Sequence, residues 1–365
     1  MNIMWITGRN LKKDLASSTE IGLFNALVKM GHKVTIFSPS KINNSKIRDF
    51  INFNYYDING LRTISGQYFL KNKIRNSDII TNVTDIAIVD WRYVAATSKL
   101  LEEKNIPWLI IDRGPPAYSG FFSKIQKIMW KRAWKKSSEH SSGGLVVSEG
   151  HKIKVSRYSS PIKVEVINAG IELELFNQKS KEIKDIIKII YCGRIDRNRG
   201  VLKIIELIEK KNLISIPSEI HIIGEGDCSK IFKNRSLVEK DLIFHGKLNR
   251  NEVYKIMDSC HIGIMPMPNK EIWRIASPLK LTEYAASGLI IIGNEHEGNR
   301  FEGKIHDWSK LQIGEDWVNL SIDEINKIIK CGNSKNLSKN AKISSKNYSW
   351  ESQAEKIIRF VENYL

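Results

Sequence analysis

The chain has 365 residues, 42% apolar and 27% charged, which excludes a disordered polymer and is length enough for two full cores. Its net charge of +17 is uneven: residues 1–168 hold 26 Lys and Arg against 13 Asp and Glu, and the remainder holds 31 against 27. No apolar run approaches the ~20 residues that span a bilayer, and the scattered Cys192, Cys228, Cys260 and Cys331 fit neither a zinc framework nor a disulfide scaffold, so a reducing cytosol is expected.

The opening MNIMWITG reads as a buried first strand and lacks the charged leader and cleavage site of a signal peptide. A helix follows, entered at Ser17-Ser18-Thr19-Glu20, where Ser17 and Glu20 have capping-box spacing, and closed by Gly31. Strands are predicted at KVTIFSP, Ile86 to Trp91, Pro107 to Gly114, Gly143 to Gly150 and Val164 to Gly170. At the end of the third of these, Asp112 and Arg113 precede a rigid Gly-Pro-Pro turn at a strand's carboxyl end, which suits either contact with a bound ligand or a structural ion pair. The segment Phe121 to Lys136 carries six cations and no acid, with Phe121, Phe122, Ile125, Ile128, Met129 and Trp130 at roughly helical spacing. Its residues Lys127, Lys131, Arg132 and Lys135, with Trp134, suit an anionic membrane interface. Single-stranded nucleic acid, or a core helix with solvated lysines, are the competing readings.

The second half repeats the strand–helix alternation through KIIYCG, EIHIIGEG, LIFHG, IGIMPMP and GLIIIG, which predicts parallel sheets covered on both faces. Loops after such strands converge on one side, where ligands of α/β sheets bind. The loop after KIIYCG holds Gly193, Arg194, Arg197, Arg199 and Gly200 and opens a helix near Val201: glycines for a sharp turn, forked guanidinium donors for phosphate. Ser277 to Gly288, SPLKLTEYAASG, reads as a short helix with a Ser-Pro start and a Gly stop. Its free N–H groups near Pro278 and Leu279 with Lys280 suit an anion, and Glu283 suits the hydroxyls of a ribose or sugar. An ordinary capped amphipathic helix with Lys280 on its surface is the bland alternative. Asn333 to Ser349 is polar and reads as an exposed helix or a linker.

In order, INAGIELELF, YCGRIDRNRGV, IHIIGEGD, IFHGKLNRNEVYKIMDSCHIGIMPMP, SPLKLTEYAASG and YSWESQAEKI resemble the landmarks of the family 4 (group 1) retaining glycosyltransferases, and GHKVTIFSP matches more loosely. The resemblance implies an α/β chain of two Rossmann-like domains facing across a cleft, the GT-B architecture. It places an acceptor-side domain at 1–168, a nucleotide-sugar domain at 169–346, and a helix at 347–365 returning to the first domain. It implies catalytic roles for Arg194 and Arg199 on the donor diphosphate, where Arg199 replaces the usual Lys, and for Glu283 on the ribose. Gly193, Ser277, Pro278, Leu279 and Lys280 would bind the donor, and Gly246 and Lys247 would contact the base. Two departures stand out. Ile275 occupies the position of the family's first motif glutamate, leaving Glu271 and Arg274 as substitutes, and Asp112-Arg113 stand where relatives often carry His, in place to touch the acceptor or the donor.

The expected activity is transfer of a hexose, with retention, from a nucleoside-diphosphate sugar to a lipid-linked or surface-glycan precursor. The expected location is cytoplasmic, peripheral on the inner membrane face, with the family's basic first domain favouring anionic membrane over nucleic acid. With no Asp-x-Asp motif, no metal or other cofactor is expected. An idle nucleotide-sugar-binding scaffold and an epimerase of the same fold remain as alternatives.

Overall fold

The computed structural model describes all residues except 12–16, 41–48, 59–60, 78–80, 117–120, 178 and 364–365. It divides into two compact units, Met1–Gly170 with Trp350–Leu365, and Ile171–Ser349.

The first unit is built on seven parallel strands in the order β3-β2-β1-β4-β5-β6-β7. These are β1 (Asn2–Ile6), β2 (Lys33–Ser38), β3 (Phe50–Asn52), β4 (Ile86–Asp90), β5 (Trp108–Asp112), β6 (Gly143–Val146) and β7 (Val164–Val166). Alternate residues of β1 feed opposite cores, as the two-residue period of a strand requires. Met4 and Ile6 join α2 (Arg62–Arg75), α3 (Val94–Glu103) and α4 (Phe121–His140) on one face, whereas Ile3 and Trp5 join α1 (Ser17–Lys29) and α13 (Trp350–Glu362) on the other. Burial on both faces explains why these strands read as continuous apolar runs. α5 (Glu149–Val155) starts at Ser148, whose hydroxyl accepts from the His151 N–H.

The last helix, α13, belongs to the first unit because its apolar stripe of Trp350, Ala354, Ile357, Ile358 and Val361 lies in that core. Trp350 sits so close to Gly22 and Gly170 that a Cβ on either would come within 2.3 and 2.4 Å of its ring. Gln353 accepts from the Asn168 N–H at 2.9 Å. Each fully buried Ile or Val here contributes about 1.5–3 kcal/mol relative to exposure.

The second unit holds six parallel strands, β10-β9-β8-β11-β12-β13. They are β8 (Ile187–Cys192), β9 (Ser218–Ile223), β10 (Leu242–Gly246), β11 (Ile262–Met265), β12 (Ile290–Asn294) and β13 (Ser309–Gln312). Around them lie α6 (Leu202–Glu209), α7 (Ser229–Ser236), α8 (Arg250–Ser259), α9 (Glu271–Arg274), α10 (Leu279–Ala286), α11 (Trp317–Cys331) and α12 (Ser334–Ser345). α8 is entered by a full capping box between Asn249 and Glu252.

The polar stretch after Asn333 is not a linker: α12 buries Leu337, Ser338, Ala341 and Ser345 and packs on α10. Lys342 on α12 donates to the Ala286 carbonyl at 3.2 Å, a cation at the carboxyl end of α10. The side chain of Ser17, the expected cap, lies outside what the structure describes, and Glu20 is engaged elsewhere: its carboxylate is 3.2 Å from Arg9 Nε.

Candidate active site

The second unit gathers its predicted site residues at the carboxyl end of β8. Gly193, with φ of 139°, turns the chain out of the strand, and Gly200, with φ of 75°, ends the single 3-10 turn Arg197–Arg199. A Cβ at Gly200 would come within 2.1 Å of the Pro266 carbonyl, and one at Gly224 within 1.9 Å of the Gly193 carbonyl. The glycines therefore serve close backbone approach between the loops after β8, β9 and β11. Gly246, at φ of 65°, joins the group through its carbonyl, which accepts from Gly224 at 2.8 Å, while Lys247 is exposed.

Asp196 organises the arginines. Its two carboxylate oxygens accept from Arg194 Nε and Nη2 at 3.0 and 3.1 Å, a forked pair, and Arg199 Nε lies 4.0 Å away. The Arg194 bond and charge hold the Asp196 carboxyl below the usual carboxylate range. Arg199 also stacks on Trp273, with its guanidinium carbon 4.9 Å from the ring centroid, while the Trp273 indole donates to the Asn198 carbonyl at 3.2 Å. Tyr191 donates to the Arg194 carbonyl at 2.6 Å. Arg194 is exposed at the loop surface and Arg199 is half-buried.

α10 faces this loop. Pro278 is its N-cap, and its first turn is preceded by half-buried Ser277. Lys280 is 8% exposed, its ammonium 4.2 Å from the Tyr191 ring centroid and 3.0 Å from where a Gly193 Cβ would stand. Among the described residues it has no hydrogen-bond partner. Burial, then repulsion from Arg199, brings its pKa down to about 8. One turn on, Glu283 accepts from the Tyr254 hydroxyl at 3.2 Å, and burial raises its pKa above the usual carboxylate value. Leu279 supplies the carbonyl that accepts from Thr282 Oγ1 at 2.7 Å. Gly193, Arg194, Arg199, Lys280 and Glu283 thus converge on one loop-and-helix corner.

Ile275 is buried at 8% exposure, so this position offers no polar group to a sugar. The proposed substitutes Glu271 and Arg274 are exposed on α9, where Arg274 Nε donates to Asn269 Oδ1 at 2.6 Å. Asp196, Tyr191, Tyr254 and Trp273 are site residues that sequence reasoning missed. Asp196 alone carried a signal, lying between the two arginines it pairs with.

In the first unit the structure corrects two expectations. Asp112 is fully buried and not available to an acceptor. Its Oδ2 accepts from Trp130 Nε1 at 2.5 Å and Trp134 Nε1 at 2.9 Å and lies 3.0 Å from His151 Nε2, while Oδ1 accepts from the Gly114 N–H at 3.0 Å. Burial pushes this carboxyl up, but attraction to His151 and these hydrogen bonds hold it at about 2. Trp130 and Trp134, expected at a membrane, are 2% and 0% exposed because their indoles must reach Asp112 through the core. The side chains of Phe121 and Phe122 lie outside the described residues. Lys127, Lys131, Arg132 and Lys135 are exposed, as are Ile125 and Ile128. Arg113 donates to the Ile167 carbonyl at 3.1 Å.

Residues 187–308 match the family described as Glycosyl transferases group 1. No curated protein matches the chain. Among solved structures, the sucrose-phosphate synthase of Thermosynechococcus elongatus is 14% identical, with TM-score 0.75 and coverage of 99% of this chain and 98% of that one. Anabaena Alr3699/HepE, in complex with UDP and glucose, is 12% identical with TM-score 0.72 and complete coverage of both, 100% each. The lipopolysaccharide outer core galactosyltransferase WaaB is 11% identical with TM-score 0.71, again covering 100% of each chain. The stretch from β8 to the start of β13, which carries every candidate donor-site residue placed above, is therefore the part of the chain similar to the group 1 glycosyltransferases, and the whole chain has the GT-B fold.

Proposed function

We propose that the chain transfers a hexose, with retention, from a nucleoside-diphosphate sugar to a lipid-linked or surface-glycan precursor at the cytoplasmic membrane face, without a metal. The observation that carries this reading is the set of three cations, Arg194, Arg199 and Lys280, at the carboxyl end of β8 and the start of α10, one of them buried with its ammonium unpartnered. Breaking the anomeric C–O bond leaves negative charge on the departing diphosphate. Fixed cations stabilise that charge more in the transition state than in the ground state. Asp196 orients both arginines beforehand, and an incoming diphosphate completes the charge that Lys280 lacks. Glu283, with its carboxylate already located by Tyr254, is the acceptor for ribose hydroxyls. Three protein cations give the diphosphate the compensation that a metal ion supplies elsewhere, which is why no metal enters the mechanism.

UDP in the HepE complex favours a uridine donor, and WaaB, by its name, acts on a lipopolysaccharide core. The solvent face of α4, with Lys124, Lys127, Lys131, Arg132 and Lys135 around exposed Ile125 and Ile128, supports an anionic membrane partner. No helix among the described residues is long and apolar enough to cross a membrane, so attachment would be peripheral. The buried Ile275 favours a second reading, a scaffold that binds nucleotide sugar without turnover. Thermal-shift screening against UDP-, GDP- and ADP-sugars, followed by hydrolysis and transfer assays with and without EDTA, separates the two. Binding with no turnover on any donor selects the scaffold, and activity lost to EDTA and restored by Mg²⁺ or Mn²⁺ rejects the metal-free mechanism.

A further inference from the structure

Arg194 and Arg199 share a loop, but the structure holds them in different ways. Both oxygens of Asp196 accept from Arg194, whereas Arg199 Nε lies 4.0 Å from Asp196 Oδ2, beyond hydrogen-bond reach. What meets the Arg199 guanidinium is the ring of Trp273, 4.9 Å from guanidinium carbon to centroid. Stacking uses the flat face of a guanidinium, and its N–H groups lie in the plane, where they stay open to phosphate oxygens. A forked carboxylate pair would occupy those same N–H groups and would have to be displaced first. The ring holds Arg199 without consuming its donors.

Trp273 is itself fixed from several sides. Its indole N–H donates at 3.2 Å to the carbonyl of Asn198, the residue before Arg199, so the ring and the arginine loop are joined twice. A Cβ on Gly298 would come within 1.9 Å of the Trp273 carbonyl, so the loop after β12 closes on α9 with no gap. At the entry to α9, a Cβ on Gly200 would come within 2.1 Å of the Pro266 carbonyl. Asn294 Nδ2 at the end of β12 donates to the Pro266 and Met267 carbonyls at 2.9 and 3.1 Å. At the exit from α9 Ile275 is buried, and the Trp273 ring packs half-buried against the core of the second unit. β8, β11 and β12 are neighbours in the sheet. The short helix α9 therefore braces the arginine loop after β8 against the loops after β11 and β12.

We infer that Trp273 is a positioning residue that acts through Arg199, holding the guanidinium by its face so that the in-plane N–H groups meet the donor diphosphate. This rests on the glycosyltransferase reading above. The test titrates UDP, GDP and ADP into the full chain and takes the tightest binder through a double-mutant cycle of Trp273→Leu and Arg199→Ala. Trp273→Leu should weaken binding about tenfold when Arg199 is present and less than about twofold when it is not. Should Arg199→Ala bind too weakly to measure, Arg199→Lys, which keeps the charge without the planar face, takes its place. Turnover should fall with the nucleoside diphosphate affinity while KM for the nucleotide sugar moves less, since the diphosphate charge is complete only once the sugar has left. Gly298→Ala, whose added methyl meets the Trp273 carbonyl, should give a smaller loss that also depends on Arg199. It is the variant to read if circular dichroism shows Trp273→Leu unfolded. Unchanged affinity in the variant read, or an equal loss with and without Arg199, overturns the proposal and leaves the donor reading intact. Failure of the unsubstituted chain to bind any of the three nucleotides sinks both.

Discussion

The two units each place an aspartate at the carboxyl end of a central strand, yet the two carboxylates have opposite fates. Asp196, after β8, sits in an open loop and accepts from an exposed arginine. Asp112, closing β5, accepts from two indoles and contacts an imidazole with no exposure at all. An exposed forked pair is exchangeable: solvent screens it, and a diphosphate can take over the arginine. A buried carboxylate saturated by fixed donors cannot be exchanged without unfolding its surroundings. Location at a strand's carboxyl end is thus not sufficient for function; exchangeability of the partners decides.

The largest effect is expected where exchange is impossible. Asp112→Ala strands a buried His151 and two indole N–H groups and should lower the stability of the first unit by about 3–5 kcal/mol, read by chemical denaturation. The pH dependence has a definite sign. Because the folded carboxyl lies at about 2, below its unfolded value, its stabilisation is complete above about pH 4 and lost as pH falls towards 2. Native-like stability in Asp112→Ala, or no difference from wild type in the acid limb, would mean the buried contacts are not stabilising.

Next come the exchangeable cations. Arg194→Ala or Arg199→Ala should leave the fold intact and remove about 2–4 kcal/mol of transition-state stabilisation, a drop of about 30- to 1,000-fold in turnover. Near-native turnover in both single variants would place the diphosphate elsewhere. Asp196→Asn sharpens the contrast with Asp112, since it should reduce turnover while leaving stability nearly unchanged.

These contrasts were legible in the sequence only where a residue's neighbours were local. Arg194, Arg199 and Gly200 stand in one loop behind an apolar strand, so their convergence followed from topology. Asp196 lies between the two arginines, but a carboxylate is not expected in an anion site; the structure shows it pairing with Arg194 through both oxygens. Lys280 reads as readily as a surface lysine, and only the packing of α10 against Tyr191 buries it. Trp130 and Trp134 are four apart and so share a helix face, but spacing does not say whether that face meets lipid or core. What decides is Asp112, distant in sequence and brought beneath the helix by β5. The edge strands β3 and β13 escaped notice because FIN and SKLQ are short and only partly apolar.

Lys280 tests the unpartnered cation by pH. On the proposed reading its ammonium would bind a diphosphate only when protonated, and burial brings its pKa down to about 8 in the ligand-free protein. UDP affinity should therefore decline as pH rises through 8, by up to about tenfold per unit until the bound-state pKa is passed. The ligand-free protein should behave in the opposite sense. A lysine with a lowered folded pKa disfavours folding below 8, and this penalty fades as pH rises towards the unfolded value of 10.5. Lys280→Met should flatten both trends relative to wild type. Parallel pH curves for the variant and wild type would remove Lys280 from the anion site.

The smallest effects per residue are expected on α4, whose two faces repeat the contrast between fixed and exchangeable partners. Its inner face commits Trp130 and Trp134 to Asp112, so those rings are not available to insert into lipid. Its outer face holds Lys131, Arg132 and Lys135 in solvent, with Lys136 half-buried beside them and Ile125 and Ile128 41% and 50% exposed. Membrane attraction would then come from charge, about 1 kcal/mol per Lys or Arg near an anionic surface, with a smaller apolar term from the two isoleucines. Liposome binding should rise with anionic lipid fraction and weaken with salt, since charges beyond about 8–10 Å are screened at physiological ionic strength. Replacing Lys131, Arg132, Lys135 and Lys136 with Gln should reduce co-sedimentation stepwise, one increment per charge, and leave nucleotide affinity unchanged. Ile125→Ser with Ile128→Ser should remove a salt-insensitive remainder. Equal co-sedimentation of native and substituted protein would reduce the outer face to solvated lysines, and tight binding to single-stranded nucleic acid but not to liposomes would transfer the surface to that partner.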